Sequence, residues 1–371
     1  FRVLKHPTKN IIYSEMQGAE NAWRYDVDNK LVKTIQPLEQ AGYEDLRFNW
    51  NAPMAVSAHQ PDRFYMGSQF LHKSEDMGDT WEIISPDLST NDSTKQQQAD
   101  SGGLSMDNSG AENHTTIFTI AESPIDENVI WVGTDDGNVQ VTKDGGKNWQ
   151  NVVSNIQELP SNTWTYHIEA SVHGTGTAYA VFDGHNSGDM KPYVYKTSDF
   201  GTTWTNIITD NVIGTSRNIQ EDYENENLLF LGTEFGLYIT ADGGKNWEKF
   251  TKNVPPVAVH FIDLQKQTND LVLGTHGRGI IIIEDISPLR EITTEVLKSK
   301  LHFFSSKPMK LSDESGFAGS FGAETQFVGE NANRSPQIKY LLPKRHTFGK
   351  MSMEIKNSKG GQSPPIRSHK T

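Results

Sequence analysis

An eight-residue phrase that returns four times constrains this chain more than any other feature. It reads Ser74-Glu75-Asp76-Met77-Gly78-Asp79-Thr80-Trp81 and then Thr142-Lys143-Asp144-Gly145-Gly146-Lys147-Asn148-Trp149. It comes back as Thr197-Ser198-Asp199-Phe200-Gly201-Thr202-Thr203-Trp204 and as Thr240-Ala241-Asp242-Gly243-Gly244-Lys245-Asn246-Trp247. The shared form is Ser/Thr-x-Asp-x-Gly-x-Thr/Asn-Trp. Repetition at this stringency means one supersecondary unit used several times, and it decides the fold.

The text around each copy is strand-like. Short β-branched and aromatic runs are separated by Gly, Asn and Asp, and long helical periodicities are few. In the clearest unit, residues 115–120, 129–133 and 138–142 read as three strands. The phrase makes the next turn, and residues 149–153 read as a fourth. Four short antiparallel strands, repeated, are the blades of a β-propeller, so the expected class is all-β. Six units are visible over residues 1–292, at about 1–38, 49–84, 115–153, 164–208, 217–250 and 257–292. In the first, Asp28-Asn29-Lys30 is a degenerate phrase; in the last, Ile286-Ser287-Pro288-Leu289-Arg290 replaces it. The strand-like start at Phe1 favours a larger ring, with blades before the first, over closure of six. The uneven spacing of the phrases requires insertions, the main one at residues 85–114 and a smaller one at 183–191. Residues 293–335 read as a short helix and a polar, Gly-rich linker. Residues 336–371 read as a partial β-sandwich or tail in which 337–342 and 350–357 alternate like a hairpin.

Composition removes several functions. With 47 acidic and 34 basic side chains the formal charge is −13, which argues against general binding of nucleic acid or of anionic membrane. There is no cysteine, and therefore no disulfide, thiolate site or cysteine nucleophile. No apolar run approaches the ~18 residues of a membrane helix, so no membrane insertion is expected in this segment.

In the phrase, Asp is placed to accept from amides of its own turn and Gly to supply a positive-φ or crowded position. Trp opens the fourth strand and can pack between blades. A catalytic group is needed once, a structural one in every blade. Asp76, Trp81, Asp144, Trp149, Asp199, Trp204, Asp242 and Trp247 are accordingly read as structural. These are the residues of the Asp-box, or BNR, repeat. With Asn49-Trp50-Asn51-Ala52-Pro53, Ile84-Ser85-Pro86-Asp87-Leu88, the stretch 116–124, the stretch 131–137 and Thr275-His276-Gly277-Arg278-Gly279, the chain resembles the sortilin-like BNR-repeat glycosyl hydrolases common in Bacteroidetes. The resemblance implies a secreted, periplasmic or cell-surface protein, with a signal and further blades upstream and a small β-sandwich downstream. The hydrolase label of that family is inherited from the repeat.

Strand order locates a site. If the first strand of each blade descends along the channel, the phrases lie on the bottom face. The loops between second and third strands, and those leading into each blade, then lie on top. The top loops are Gln17-Gly18, Gln69-Phe70, Asp135-Asp136, Asp183-Gly184-His185, Glu234-Phe235 and His276-Gly277-Arg278. The loops leading into the blades add Asn49, Trp50, Asn51, His114, Tyr166, His167, Arg217 and His260. Asn49, Trp50, Asn51, His185, Arg217, His276 and Arg278 are the binding candidates, since loops on a rigid scaffold carry function. Turn chemistry alone also favours such residues.

The expected function is binding of a peptide, protein or polysaccharide ligand across the top face, with no cofactor required. The alternative is a glycoside hydrolase resembling the Asp-box β-glucanases, with Asp135, Asp136 and Glu234 as candidate carboxylates. Asp-Asp before Gly is equally a turn former. A sialidase would need three arginines on one carboxylate; Arg47, Arg217 and Arg278 are available by location, but the Arg-Ile-Pro signature is missing. Residues 87–107 are rich in oxygen ligands and could hold calcium, without the EF-hand spacing. The histidines have no zinc spacing. Asp92-Ser93-Thr94 matches a short O-glycosylation pattern.

Overall fold

The repeated phrase closes on itself through its own side chains. In the computed structural model, Asp144 Oδ1 accepts from the Asn148 amide at 2.9 Å and from Thr142 Oγ1 at 2.9 Å, while Oδ2 accepts from Asn148 Nδ2 at 2.6 Å. The Thr142 hydroxyl accepts in turn from the Gly146 amide at 3.0 Å. Asp76, Asp199 and Asp242 repeat the pattern with Thr80, Thr203 and Asn246. The glycine serves two needs. Gly78, Gly146, Gly201 and Gly244 all have positive φ, and a Cβ on any of them would strike the preceding blade at Ile35, Ile84, Val152 or Ile207. The tryptophan then reaches back. The indole N–H of Trp81 donates to Ile35 O at 2.9 Å, that of Trp149 to Ile84 O at 3.1 Å and that of Trp247 to Ile207 O at 2.6 Å. Trp204 makes no such bond; its ring packs edge-on against Trp131 at 6.1 Å.

These hydrogen bonds favour the ionised carboxylate. Donation from the Asn148 side chain and amide holds Asp144 down at about 2, and Asp199 is lowered by the Thr203 amide and hydroxyl. A carboxyl lowered in the folded state contributes stability that is complete above its ordinary value near pH 4 and is lost as the pH falls through the folded value. Acid unfolding followed by tryptophan emission should therefore steepen between pH about 4 and about 2, and Asp144→Asn should flatten that limb.

The structure describes residues 2–19, 21–96, 113–306, 337–354 and 356. It divides into two units, Phe1–Arg290 and Glu291–Thr371. The first is a β-propeller of six consecutive antiparallel blades, five with four strands and the sixth with three. The inner strands of the second to sixth blades are Met54–Val56, Ile117–Glu122, Trp164–Ala170, Ser216–Glu221 and Ala258–Gln265; Val3–Lys5 opens the first. Apolar positions of the sheets, such as Trp131, Tyr179 and Phe230, are fully buried between neighbouring blades. In the sixth blade the chain leaves Ile280–Ile283 for a short helix, Ser287–Arg290, instead of a fourth strand. Arg290 braces that exit: its guanidinium pairs with Asp222 at 2.8 Å and Glu224 at 2.7 Å and lies 4.5 Å from the Tyr223 ring centre.

A second repeated device joins blades at the bottom. Glu122 on the third blade accepts from Ser57 Oγ at 2.7 Å, the Ala58 amide at 2.8 Å and Tyr65 OH at 2.8 Å, all on the second. His59 donates to the Ser123 carbonyl at 2.8 Å. Glu221 on the fifth blade does the same to the fourth, with Ser171 at 2.7 Å, Val172 N at 2.9 Å and Tyr179 OH at 2.9 Å, while His173 meets Asp222 O at 2.8 Å.

In the second unit a helix, Thr294–Lys298, is capped by the Thr293 side chain. The strand Tyr340–Leu341 pairs with His302–Phe303. The sequence expects a hairpin between residues 337–342 and 350–357; the pairing recorded for 340–341 is instead with 302–303, and residues 350–354 carry no strand.

An axial channel lined by bulged residues

One irregularity repeats in four blades at the same place. The pairing of Ile117–Glu122 with its neighbour passes from Thr119 to Ile117 and leaves out Phe118. In the next blade it passes from Thr165 to His167 and leaves out Tyr166; in the fifth from Ser216 to Asn218, leaving out Arg217. In the sixth it passes from Val259 to Phe261 and leaves out His260. Each is a β-bulge on the inner strand, a device that bends the strand and re-aims a side chain. The four bulged residues, with Arg2 and Asn51 from the first two blades, line an axial cavity of about 160 Å³. Every blade thus contributes to one chamber at the top of the channel. The fit is tight enough that Gly232 admits no side chain, since a Cβ there would lie 2.4 Å from Val259 O of the sixth blade.

Two guanidinium groups line the chamber, each with carboxylates close by. Arg217, buried at 7 % exposure, pairs with Asp183 through Nη1 and with Glu234 through Nη2 at 3.2 Å, and sits 5.0 Å from the Tyr166 ring centre. Asp183 is fully buried and also holds His185 Nδ1 at 2.6 Å. Arg2 donates Nη2 to Phe118 O at 2.7 Å and stacks over that ring at 5.3 Å. Burial, then Arg217 and His276, lower the proton affinity of His260, whose ring centre is 5.4 Å from that of His276. Four polar atoms of the lining residues are buried without a hydrogen-bond partner among the described residues: Nε of Arg2, Nε2 of His167, Nε of Arg217 and Oδ1 of Asn218.

Below it lies a second chamber of about 320 Å³, and His167 borders both. Its lining carries the carboxylates of Glu122, Glu169, Glu221 and Asp263, with Gln220 and Lys266. Burial raises the proton affinity of Glu169, opposed by His167 at 3.8 Å and by Gln220, which donates at 2.7 Å.

Of the residues proposed from sequence, Asn51 and Arg217 line the upper chamber. His185 and Glu234 attach to Arg217 through the contacts above, and His276 stacks on His260. Asn49 is buried and donates Nδ2 to Asp135 at 2.9 Å, and the Trp50 carbonyl accepts from Gly18 N at 3.1 Å. Arg278 is in the exposed turn after the strand Asp270–His276. Arg47 pairs with Asp87 at 2.6 Å and Glu44 at 3.5 Å, so no contact brings Arg47, Arg217 and Arg278 together. Asp135 accepts from the Thr116 amide and hydroxyl as well as Asn49, and burial raises its proton affinity. Asp136 accepts from the Thr90 amide at 2.7 Å, Thr90 Oγ1 at 2.6 Å and Thr134 Oγ1 at 2.5 Å. Both carboxylates tie the long insertion and the loops leading into the blades to the top face. Asp136→Ala should release residues 85–96, seen as faster amide exchange there, at a cost of about 1–3 kcal/mol in stability.

In the segment 87–107 considered for calcium, residues 97–107 lie outside the described residues. Among the described residues no three His, Asp or Glu groups are placed to hold a metal ion. Asp92 accepts from the Thr94 amide and hydroxyl, with Ser93 and Thr94 exposed. No described helix is long and apolar enough to cross a membrane. Sequence reasoning missed Arg2, Phe118, Asn218 and Glu169. It also missed the latch between blades, whose signal was a second short repeat, Ser57-Ala58-His59 and Ser171-Val172-His173.

No family model matches the chain. It is 23 % identical over 218 residues to the oligoxyloglucan-reducing end-specific xyloglucanase of Emericella nidulans, covering 54 % of this chain and 23 % of that one. Among solved structures, an ancestral GH74 enzyme superposes with a TM-score of 0.54 at 17 % identity over 76 % of this chain and 35 % of its own. The GH74 xyloglucanase of Xanthomonas campestris gives a TM-score of 0.48 at 16 % identity, over 76 % of this chain and 51 % of its own. The chain spans about a quarter of the length of the curated relative (23 %), and the likeness to the ancestral GH74 enzyme carries the propeller fold.

Proposed function

We propose that this is an extracytoplasmic β-propeller that binds a peptide, protein or glycan at the top of its axial channel. The observation that carries the reading is the set of bulges, which turns Phe118, Tyr166, Arg217 and His260 from four successive blades into one chamber. Bulges give up ladder hydrogen bonds and cluster next to functional sites.

Glycan hydrolysis is the second reading, favoured by the sequence likeness to a xyloglucanase. It needs two carboxyl groups ~5–9.5 Å apart across an open groove. Asp135 and Asp136 have their oxygens occupied by loop amides and hydroxyls, and Glu234 by Arg217, which fits positioning better than proton transfer. The test pairs a glycan-library turnover assay with binding to peptide and glycan arrays. Ligand capture that Asn218→Ala weakens, without turnover, supports the binding reading; turnover of any glycan that persists at catalytic protein concentrations refutes it.

A further inference from the structure

The two end blades are covered on one face only. In the second to fifth blades the middle strands, Phe64–Gly67, Ile130–Thr134, Ala178–Asp183 and Leu229–Thr233, are buried at every position, because a neighbour packs on each side of the sheet. In the first blade the corresponding strand alternates: Ile11 and Tyr13 are buried, Ile12 and Ser14 only partly. In the sixth, Leu271 and Leu273 are buried, Val272 and Gly274 only partly. Such alternation marks a sheet with one open face. Both open faces are apolar. Pairing sets Lys5, Ile12, Tyr25 and Val32 in one row across the first blade, with Val3, Ser14, Trp23 and Thr34 in the next. Val3 is 67 % exposed and Val32 64 %. Across the sixth blade the rows are Asp263, Val272 and Ile282, then Phe261, Gly274 and Ile280. Ile280 is 74 % exposed, and Phe261 and Ile282 are exposed as well. Patches of this kind on a folded domain mark an interaction surface. We propose that the two faces are the walls of one docking site, whose occupant is a further four-stranded blade of the same repeat.

The occupant follows from continuity with the junctions already formed. Each blade turns one face to the blade before it and the other to the blade after it, and neighbours in such arrays bury each other's apolar faces. The open face of the first blade is the one turned away from the second, since Tyr13 on its other face stacks on Phe64 at 4.4 Å. The open face of the sixth is turned away from the fifth, since Leu271 and Leu273 on its other face pack with Leu228 and Phe230. One blade between them supplies both missing partners. The fifth blade shows the design: Ile219, Leu229 and Leu231 pack towards the fourth, and Leu228, Phe230 and Leu237 towards the sixth. Arg2 of the first blade and Phe261 of the sixth border the same axial chamber, which limits the opening at the axis to the width of a single blade. After Ile280–Ile283 the chain turns into the helix Ser287–Arg290, so the added blade is joined in sequence ahead of the first. The inference is independent of what the channel binds.

The absence of cysteine makes thiol labelling a clean test. Val32→Cys, Ile280→Cys and, as an exposed reference, Lys252→Cys are placed singly in the full chain and timed against a maleimide. Val32→Cys and Ile280→Cys should react as fast as the reference, at a rate independent of protein concentration. The measurement is then repeated on the chain extended by a copy of residues 212–257, the fifth blade with its exit loop, joined ahead of Phe1. Both positions should slow about tenfold or more while the reference does not change. Ile280→Lys with Ile282→Lys should leave the urea midpoint of the unextended chain where it is and lower that of the extended one. A second extension, a copy of residues 161–212 from the fourth blade, guards against one copy that fits badly. Slow labelling in the unextended chain at every concentration means that six blades close on themselves, and overturns the proposal. Labelling that slows only as concentration rises makes a second copy the occupant, which also overturns it. So does protection of one wall without the other, or of neither wall with both extensions.

Discussion

Arg217→Met will lower the unfolding free energy by about 3–5 kcal/mol, the range for breaking a buried ion pair from one side. Asp183 is the reason. Its side chain has no exposure, and Arg217 is its buried cationic partner. Without the guanidinium it keeps only His185, whose ring is 37 % exposed. Glu234, at 34 % exposure, retains access to water and adds little. The chemistry predicts its own rescue: Asp183→Asn on the Arg217→Met background removes the uncompensated charge and should recover a large part of the loss. Urea unfolding of the two single variants and the double measures this. A loss under about 1 kcal/mol for Arg217→Met, or a double variant no more stable than the single, would show that the pair is solvated and that the chamber is wetter than its burial implies.

Glu221→Ala should be comparably severe, about 3–5 kcal/mol, through a different term. Its carboxylate, on a residue 2 % exposed, accepts from Ser171 Oγ, Val172 N and Tyr179 OH. Removing it strands three donors, and an unsatisfied buried group costs about 1–3 kcal/mol, less than additively when neighbours relax together. Tyr179→Phe alone deletes one donor and should cost about 1 kcal/mol. In the double variant the two changes should couple, because the alanine has already stranded the hydroxyl that phenylalanine lacks. Strict additivity in that cycle would falsify the latch as a bonded unit. Glu122→Ala, which strands Ser57, Ala58 and Tyr65, should behave alike.

The bottom of the molecule was far more legible than the top. Asp144 with Thr142, Gly146 and Asn148 is a local hydrogen-bonded turn, so everything that defines it is contiguous in sequence and repeats with the blade. The channel lining is relational. Tyr166, Arg217 and His260 could be placed near the top by strand order, but nothing in a single strand says that each is left out of its ladder. That depends on the register with a neighbour, which alternation does not encode. Phe118 reads as an ordinary core aromatic, and Arg2 as a charge at the start of a strand. Asp135 and Asp136 drew attention as adjacent acids, a pattern that suits chemistry and turns alike. Their partners at Thr116 and Thr90 became visible only once distant segments were brought together. The three-stranded sixth blade was hidden for a similar reason, since Arg290 folds back on Asp222 from 68 positions away.

The bulges have a consequence for how such a channel can change. A residue on a ladder is held by its pairing, its cross-strand neighbours and its packing between blades, so altering it disturbs the scaffold. Phe118, Tyr166, Arg217 and His260 stand outside that accounting. Freed from the ladder, they hold one another instead: Phe118 packs on Tyr166 at 5.1 Å and Arg217 lies 5.0 Å from the same ring. A new channel mouth is therefore reached by changing facing residues of neighbouring blades together, on strands whose pairing stays as it is.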